Sequence, residues 1–315
     1  MNPDKTPINS GDPDLNAPQT LVRLVQQAER AEASDIHLQM RPGSAAVSFR
    51  LDGAMTPAAE IPAALAERVF GRIKFLSRLK TYQDSLPQDG RIDKADLGSR
   101  SDIRVATYPT VTGEKIVLRL FNTPTVKTLA ELGFPDQAQV ELERFLSRTT
   151  GLLLLTGPAG SGKTTTIYAC LAQLAADGRR HVITVEDPAE QILPGIMQTE
   201  VNEARGLDFA KAARHLLRQD PQVLMIGEIR DEETAIIAVR AALTGHLVIS
   251  TLHAGSCKGV FERFFAFYKD SSAIEASLEL VLNQRLLRQR CRECAGRGCA
   301  ACLSTGYRGR LPIVE

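Results

Sequence analysis

Residues 151–166 read Gly-Leu-Leu-Leu-Leu-Thr-Gly-Pro-Ala-Gly-Ser-Gly-Lys-Thr-Thr-Thr. A short apolar run, the length of a buried strand, leads into G-x-x-x-x-G-K-T, and a segment of helical character follows. Gly157, Gly160 and Gly162 let the backbone bend so that successive N–H groups turn inward around a phosphate chain. Lys163 brings a point charge to the β- and γ-phosphates, and the Thr164 hydroxyl is placed to ligate Mg²⁺. The helix that starts here adds its positive N-terminal dipole. Nucleotide triphosphate binding is therefore expected, through Gly157, Pro158, Ala159, Gly160, Ser161, Gly162, Lys163, Thr164 and Thr165.

Downstream of this loop, helical and apolar runs alternate as a parallel α/β sheet requires. The predicted strands are Leu152–Thr156, His181–Val185, Val223–Ile226 and His246–Thr251, with helices over Lys163–Ala176, Asp208–Gln219 and Asp231–Thr244. Upstream, residues 20–33 carry Leu21, Leu24, Val25 and Ala28 at helical spacing. Strand-like pieces follow at Asp35–Met40 and Ala45–Leu51, then a helix over 62–79 and short alternating runs around Arg91–Ile92, Asp102–Thr107 and Glu114–Phe121. The expected organisation is a solvated, disordered tail over 1–19, an α+β domain over 20–121, a linker over 122–128 and a nucleotide-binding domain over 129–315.

The 315 residues are 43% hydrophobic and 24% charged, with a net charge of +1. These are ordinary values for a soluble globular chain, and they give no global field for nucleic acid or an anionic membrane. No apolar run approaches the length of a membrane span, and the N-terminus lacks a signal-peptide core. A cytoplasmic protein is expected.

In open α/β sheets ligands sit beyond the carboxyl ends of the strands. Three predicted strands end in reactive side chains: Glu186-Asp187-Pro188-Ala189-Glu190, Gly227-Glu228-Ile229-Arg230-Asp231 and Leu252-His253-Ala254. Glu186 and Glu228 project toward the phosphate edge, where phosphoryl transfer needs carboxylates for Mg²⁺ and water. Asp187 and Asp231 either join them or cap the next helix. His253, past its strand, reads as the γ-phosphate sensor. His246, before the same strand, reads as a structural or an interface histidine.

Four of the six cysteines form Cys291-x-x-Cys294-x4-Cys299-x-x-Cys302. In a reducing compartment that spacing suits tetrahedral Zn²⁺, with Gly296 and Gly298 allowing the tight return. No general base lies nearby, which favours a structural site; an iron–sulfur centre or no metal are the alternatives. Cys170 and Cys257 read as plain small residues.

The order of these motifs resembles the secretion ATPases of type II secretion, type IV pilus assembly and DNA uptake. The similar stretches are SDIHL (34–38), FRLDG (49–53), QDGRI (88–92), SDIRVATYPTVTGEKIVLRL (101–120), GPAGSGKTTT (157–166), ITVEDPAE (183–190), LLRQDPQVLMIGEIRDEETA (216–235), TGHLVISTLHA (244–254) and TGYRGR (305–310). The block after the second strand matches the family's aspartate box, GEIRD its Walker B and TGHLVISTLHA its histidine box. The tetracysteine arrangement resembles the assembly branch rather than retraction motors.

The resemblance implies an α/β fold: a RecA-like P-loop NTPase domain, a smaller N-terminal α+β (PAS-like) domain and a short zinc-binding loop. It further implies a homo-oligomeric ring, usually a hexamer, that hydrolyses ATP with Mg²⁺ and moves an inner-membrane platform protein. Association with the membrane would then be peripheral, through that partner, with no direct nucleic-acid binding. Family arginines that contact phosphates map to Arg91 in QDGRI, Arg104 in SDIRVAT and Arg218 in LLRQDP. Glu228 is assigned to Mg²⁺ or its water shell and Glu186 to the attacking water, the opposite split remaining open.

Three departures stand out. No further domain precedes residue 20, the chain stops at LPIVE, and the two cysteine pairs lie closer together than is usual, which implies a reduced zinc lobe. This compactness favours the DNA-uptake subclass. After His253 the sequence AGSCKGVFERFFAFYKD replaces a polar continuation, and Phe261, Phe264, Phe265 and Phe267 read as core or interface packing rather than a base-stacking platform. Alternatives are a conjugation-type translocation ATPase and a ring scaffold that binds ATP with weak hydrolysis.

Overall fold

The computed structural model describes residues 16–120 and 126–315. Most of the expected tail, the last residue of the expected N-terminal domain and residues 122–125 of the expected linker lie outside these. The described residues divide into two units. One holds the residues up to 120 together with Arg288–Arg310; the other runs from 126 to Leu287 and adds Leu311–Glu315.

The first unit begins with α1 (Ala17–Arg30), started by the Asn16 side chain, which accepts from the Gln19 N–H. Its Leu21, Leu24, Val25 and Ala28 are buried on one stripe, as their spacing predicts. Six antiparallel strands follow in spatial order β3-β2-β1-β6-β5-β4: β1 (Asp35–Arg41), β2 (Ser44–Leu51), β3 (Ala54–Pro62), β4 (Gln88–Ile92), β5 (Ile103–Thr110) and β6 (Gly113–Leu120). Between them lie α2 (Ala63–Leu76) and the short α3 (Lys94–Leu97). Ile36, Leu38, Val47, Phe49, Val105, Ile116 and Leu118 alternate onto one face and share a core with α1 and α2.

Strand β3 escapes the sequence reading because its Pro57 and Pro62 argue against a strand. It is an edge strand, where a missing N–H costs nothing, and its pairing with β2 shifts register beside Pro57. On the sheet's other face, register aligns Arg91, Arg104, Arg119, Asp35 and Arg50 across five strands. Asp35 is buried between two of these cations, 3.0 Å from Arg119 and 3.2 Å from Arg50.

The second unit carries α4 (Leu129–Leu132), α5 (Asp136–Leu146), β7 (Gly151–Thr156), α6 (Lys163–Ala175), β8 (Val182–Glu186), β9 (Ile196–Glu200), α7 (Phe209–Leu216), β10 (Val223–Ile226), α8 (Glu232–Leu243), β11 (Leu247–Thr251), α9 (Cys257–Phe267) and α10 (Ser271–Ser277). Two further strands, β12 (Leu278–Arg290) and β13 (Tyr307–Val314), complete a seven-stranded sheet in the order β13-β12-β7-β11-β10-β8-β9. From β12 to β9 every pairing is parallel. All six residues of β7 are buried, the signature of a central strand covered on both faces. The fold is α/β, as expected. Among the described residues no helix is long and apolar enough to cross a membrane.

Candidate nucleotide and metal sites

Parallel pairing brings the carboxyl ends of β7, β8, β10 and β11 to one edge of the sheet. The loop after β7 turns through Gly157, Gly160 and Gly162, with φ of 137°, 73° and 88°, and α6 starts at Lys163. Lys163 Nζ donates to the carbonyls of Gly157 (2.8 Å) and Pro158 (3.1 Å), so its ammonium lies folded back over the loop. Burial pulls the Lys163 pKa down, and the charge of Glu228 opposes it. Ser161 is buried, whereas Pro158, Ala159 and Gly160 are exposed.

At the end of β8, Glu186 is buried, and both its oxygens are engaged by the protein. Oε1 accepts from Thr184 Oγ1 (2.6 Å) and Gln198 Nε2 (2.9 Å), and Oε2 from the Tyr168 hydroxyl (2.5 Å). The same hydroxyl accepts from the Glu190 N–H at 3.0 Å, linking the two acids. Burial, then the bond to Glu186, pushes the Tyr168 pKa far up, so Tyr168 stays a donor. Burial and then the Glu186 charge raise the Glu190 pKa, opposed by the Thr164 hydroxyl.

The loop after β10 places Glu228 3.1 Å from His253 Nε2, which comes from the loop after β11. Arg230 Nε donates to Glu228 Oε1 (2.6 Å), and its Nη2 reaches Asp187 (3.2 Å). The Arg230 guanidinium lies 5.3 Å from the centre of the Phe209 ring. Lys163, Thr164, Glu186, Glu228 and His253 are thus gathered at one edge. Asp231 caps α8, accepting from the Thr234 N–H, and His246 Nδ1 contacts the Ala241 carbonyl at 3.0 Å. Asp187 is neither an isolated acid nor a helix cap: it pairs with Arg230.

The three arginines are placed within their own units. Arg218 follows α7 and its Nη1 donates to the Arg214 carbonyl. Arg91 and Arg104 face one another in the register of β4 and β5 in the first unit, and Arg91 forms an ion pair with Asp102. In α9, Phe264 is fully buried, whereas Phe261 and Phe265 are partly exposed with ring centres 6.4 Å apart.

Four residues of this edge were not singled out from sequence. Tyr168 lies on a buried helix face with nothing to mark it. Glu190 and Arg230 sit inside ITVEDPAE and GEIRD, where the neighbouring acids carry the sequence signal. Gln284, on β12, binds the phosphate loop from behind. Its Nε2 donates to the Ser161 carbonyl (2.8 Å) and its Oε1 accepts from Thr166 Oγ1 (2.9 Å).

A family model described as "Type II/IV secretion system protein" matches residues 14–315. The chain belongs to that family. The "Protein transport protein HofB homolog" of Haemophilus influenzae is 42% identical over 298 residues, 94% of this chain and 64% of that protein. "Type II secretion system protein E" of Pseudomonas aeruginosa is 41% identical, over 94% of this chain and 64% of that protein. Among solved structures, the pilus retraction motor PilT with bound ADP is 26% identical with a TM-score of 0.64, covering 96% of this chain and 83% of that one. The chain therefore spans a little under two thirds of the length of these curated relatives.

Within this secretion-family chain, the second chemical site is the cysteine loop, which belongs to the first unit and not with the nucleotide edge. The four Sγ atoms lie within 4.8 Å of one another, with the 291–299, 294–302 and 299–302 pairs each at 3.8 Å. A tetrahedral ion with Zn–S bonds of about 2.3 Å requires an S···S edge of about 3.8 Å, so the donor set fits zinc. Backbone N–H groups of Gly298, Cys299 and Gly306 donate to the sulfurs at 3.2–3.3 Å. Burial works to raise the Cys302 pKa, but the Cys299 and Gly306 N–H groups together with the Cys299 and Cys294 thiols lower it to about 6. Gly306 has φ of 77°, and a Cβ there would lie 2.4 Å from the Gly296 carbonyl oxygen. Asp52, at the β2–β3 turn, accepts from the Gly309 N–H (2.9 Å) and fixes the loop's return strand to the first unit. Cys170 is buried within the second unit's core, which pushes its thiol up to about 12.

Proposed function

We propose that this chain is the ATP-hydrolysing part of a ring-forming motor, most simply a hexamer, that drives pilus or pseudopilus assembly for secretion, pilus extension or DNA uptake. Such a ring would work at the cytoplasmic face of the inner membrane through a platform protein. The observation that carries the reading is the convergence of a finished phosphate loop, the Glu186–Tyr168–Glu190 network and the Glu228–His253 pair on one sheet edge.

In this reading the loop N–H groups and Lys163 bind the phosphates, Lys163 leaving the Gly157 and Pro158 carbonyls to do so. Thr164 and Glu228 are the residues that would hold Mg²⁺, which when bound neutralises phosphate charge. His253, paired to Glu228, senses the γ-phosphate. Glu186 is fixed by three donors and shares the orienting of water with Glu190, which it reaches through Tyr168. Arg91, Arg104 and Arg218 are assigned to the charge on the transferring oxygens. Zn²⁺ held by Cys291, Cys294, Cys299 and Cys302 is structural.

Phosphate release from Mg·ATP by the purified chain tests the proposal, beside Glu228→Gln. Turnover in the parent and a fall of at least about a hundredfold in the variant are expected. A folded, zinc-loaded, oligomeric chain without turnover would sink the motor reading in favour of a scaffold. Turnover stimulated by DNA in a salt-dependent manner would favour a nucleic-acid translocase.

A further inference from the structure

Strand β12 runs parallel to β7 with Asn283 opposite Thr156, so residues 283–285 arrive at the same edge as the phosphate loop. Successive side chains of a strand point to opposite faces. Gln284, which is 2% exposed, turns to the phosphate loop, and Asn283 and Arg285 turn the other way.

The bond from Gln284 Nε2 to the Ser161 carbonyl has a directional consequence. That carbonyl and the Gly162 N–H belong to one planar trans peptide and point in opposite directions. Anchoring the oxygen on β12 therefore aims the Gly162 N–H away from β12. Thr166 Oγ1, which lies 3.2 Å from the Gly162 carbonyl, donates to Gln284 Oε1 and fixes the amide's orientation. The packing is close: a Cβ at Gly157 would lie 2.2 Å from the Gln284 carbonyl oxygen, and one at Gly162 2.8 Å from Gln284 Nε2. Gly157 is demanded by the backbone of β12 as well as by its own backbone angle, and Gly162 by its backbone angle.

On the opposite face, Asn283 Nδ2 donates to the Gly255 carbonyl at 3.0 Å, joined by Arg285 Nη2 at 3.3 Å. Gly255 lies two residues beyond His253. Between them, Ala254 is clamped to Thr156: its N–H donates to Oγ1 (2.9 Å), and Oγ1 donates to its carbonyl (2.8 Å).

We infer that Asn283 and Gln284 are paired positioning residues, one for each loop of the site: Gln284 sets the phosphate loop and Asn283 sets His253 against Glu228. The inference rests on the ATPase reading above. It demands a split that general loss of packing would not produce. The phosphate loop binds ground-state nucleotide, so Gln284 acts on affinity for ADP and ATP alike. The His253 loop acts on the γ-phosphate alone, so Asn283 acts on turnover.

The experiment is titration with a fluorescent ADP analogue beside saturating ATP turnover, on the full chain. Gln284→Leu should weaken ADP binding about tenfold and change kcat less than about threefold. Gln284→Glu, nearly isosteric but unable to donate to the Ser161 carbonyl, should weaken it as much. Asn283→Ala should leave ADP affinity within about twofold and lower kcat about tenfold. If the Gln284 variants fail to fold, Thr166→Val reads the same contact from the helix side, with a weaker loss of ADP affinity of about threefold. Equal ADP affinity in the parent and the Gln284 (or Thr166) variants would overturn the Gln284 assignment and leave the ATPase reading standing. Unchanged kcat in a folded Asn283→Ala would overturn the other half. A parent chain that binds ADP but never turns over ATP, with ADP binding lost in Gln284→Leu, would sink the ATPase reading and leave the Gln284 assignment intact.

Discussion

The phosphate loop and the cysteine loop are both glycine-rich turns that leave the end of a β-strand, β7 in one case and β12 in the other. On the ATPase reading, both aim backbone N–H groups at negative charge. In the phosphate loop the charge belongs to a ligand, and the mould is built from protein: buried β7 on one side and Gln284 behind. In the cysteine loop the charges are the loop's own sulfurs, and the buried residues at its centre are the cysteines themselves. Four thiolates within 4.8 Å repel one another unless a cation lies between them. The first loop should be finished without its ligand, and the second should depend on its metal.

The largest effect expected on the nucleotide side concerns function without fold. On the ATPase reading, Lys163→Ala should reduce turnover by at least about a hundredfold, because the transferring phosphoryl group would lose a stabilising cation. Its unfolding midpoint should stay close to the parent's, since Lys163 contributes only two surface-near bonds to loop carbonyls. A large drop in stability would mean that the mould is not self-supporting, and the contrast between the loops would fail.

Metal removal is the matching test of the other loop. One zinc per chain is expected, and Cys294→Ser should lose it. The loop carries Arg292 and Arg297. Trypsin should therefore spare both bonds in the loaded chain and cut there after chelation, while ADP affinity remains measurable. Mass spectrometry of the fragments reads the result. Protection that survives complete chelation would show that the cysteine loop, too, is held by protein alone.

The two loops also differ in how far they can be read from sequence. The phosphate loop was legible because β7 is buried on both faces and so reads as an unbroken apolar run, with its chemistry at the next turn. Glu186, Glu228 and His253 followed by the same logic, since parallel strands deliver their functional groups just past their last apolar residue. Gln284 was not legible. Strand β12 mixes Glu279, Arg285 and Arg288 with its apolar residues, and its partner β7 lies more than a hundred positions earlier. For the cysteine loop, spacing gave the ligand set but not its neighbours. The Asp52–Gly309 bond that ties it to the first unit joins residues 257 positions apart. Strand β3 was hidden by two prolines that only an edge strand tolerates.

A moderate effect is expected where the nucleotide edge is buried deepest. Tyr168→Phe removes the donor to Glu186 Oε2 and leaves a buried carboxylate oxygen unsatisfied. The cost should be about 1–3 kcal/mol, read from the denaturant midpoint at unchanged slope. Turnover should fall as well, because the link to the Glu190 backbone is cut. A Tyr168→Phe chain as stable and as active as the parent would show that the mould does not need this network.

The smallest effect separates charge from hydrogen bonding at the anchor of the cysteine loop. Asp52 occupies the left-handed region, with φ of 49°, and does two things: it accepts from the Gly309 N–H and faces Arg310 at 3.6 Å. Asn tolerates the same backbone angle and can still accept from Gly309, so Asp52→Asn deletes only the charge pair. Both partners are partly solvated, with side chains 42% and 23% exposed, so the loss should be below about 1 kcal/mol and smaller still in high salt. Asp52→Ala deletes the hydrogen bond as well and forces a Cβ residue without local polar contacts into the left-handed region. It should cost about 1–3 kcal/mol more than Asp52→Asn. Zinc stoichiometry should be unchanged in both variants, because the anchor fixes where the loop sits while the metal fixes its shape. If Asp52→Asn alone released the metal, the loop's shape would depend on its anchor, and the division of labour between ion and protein would have to be redrawn.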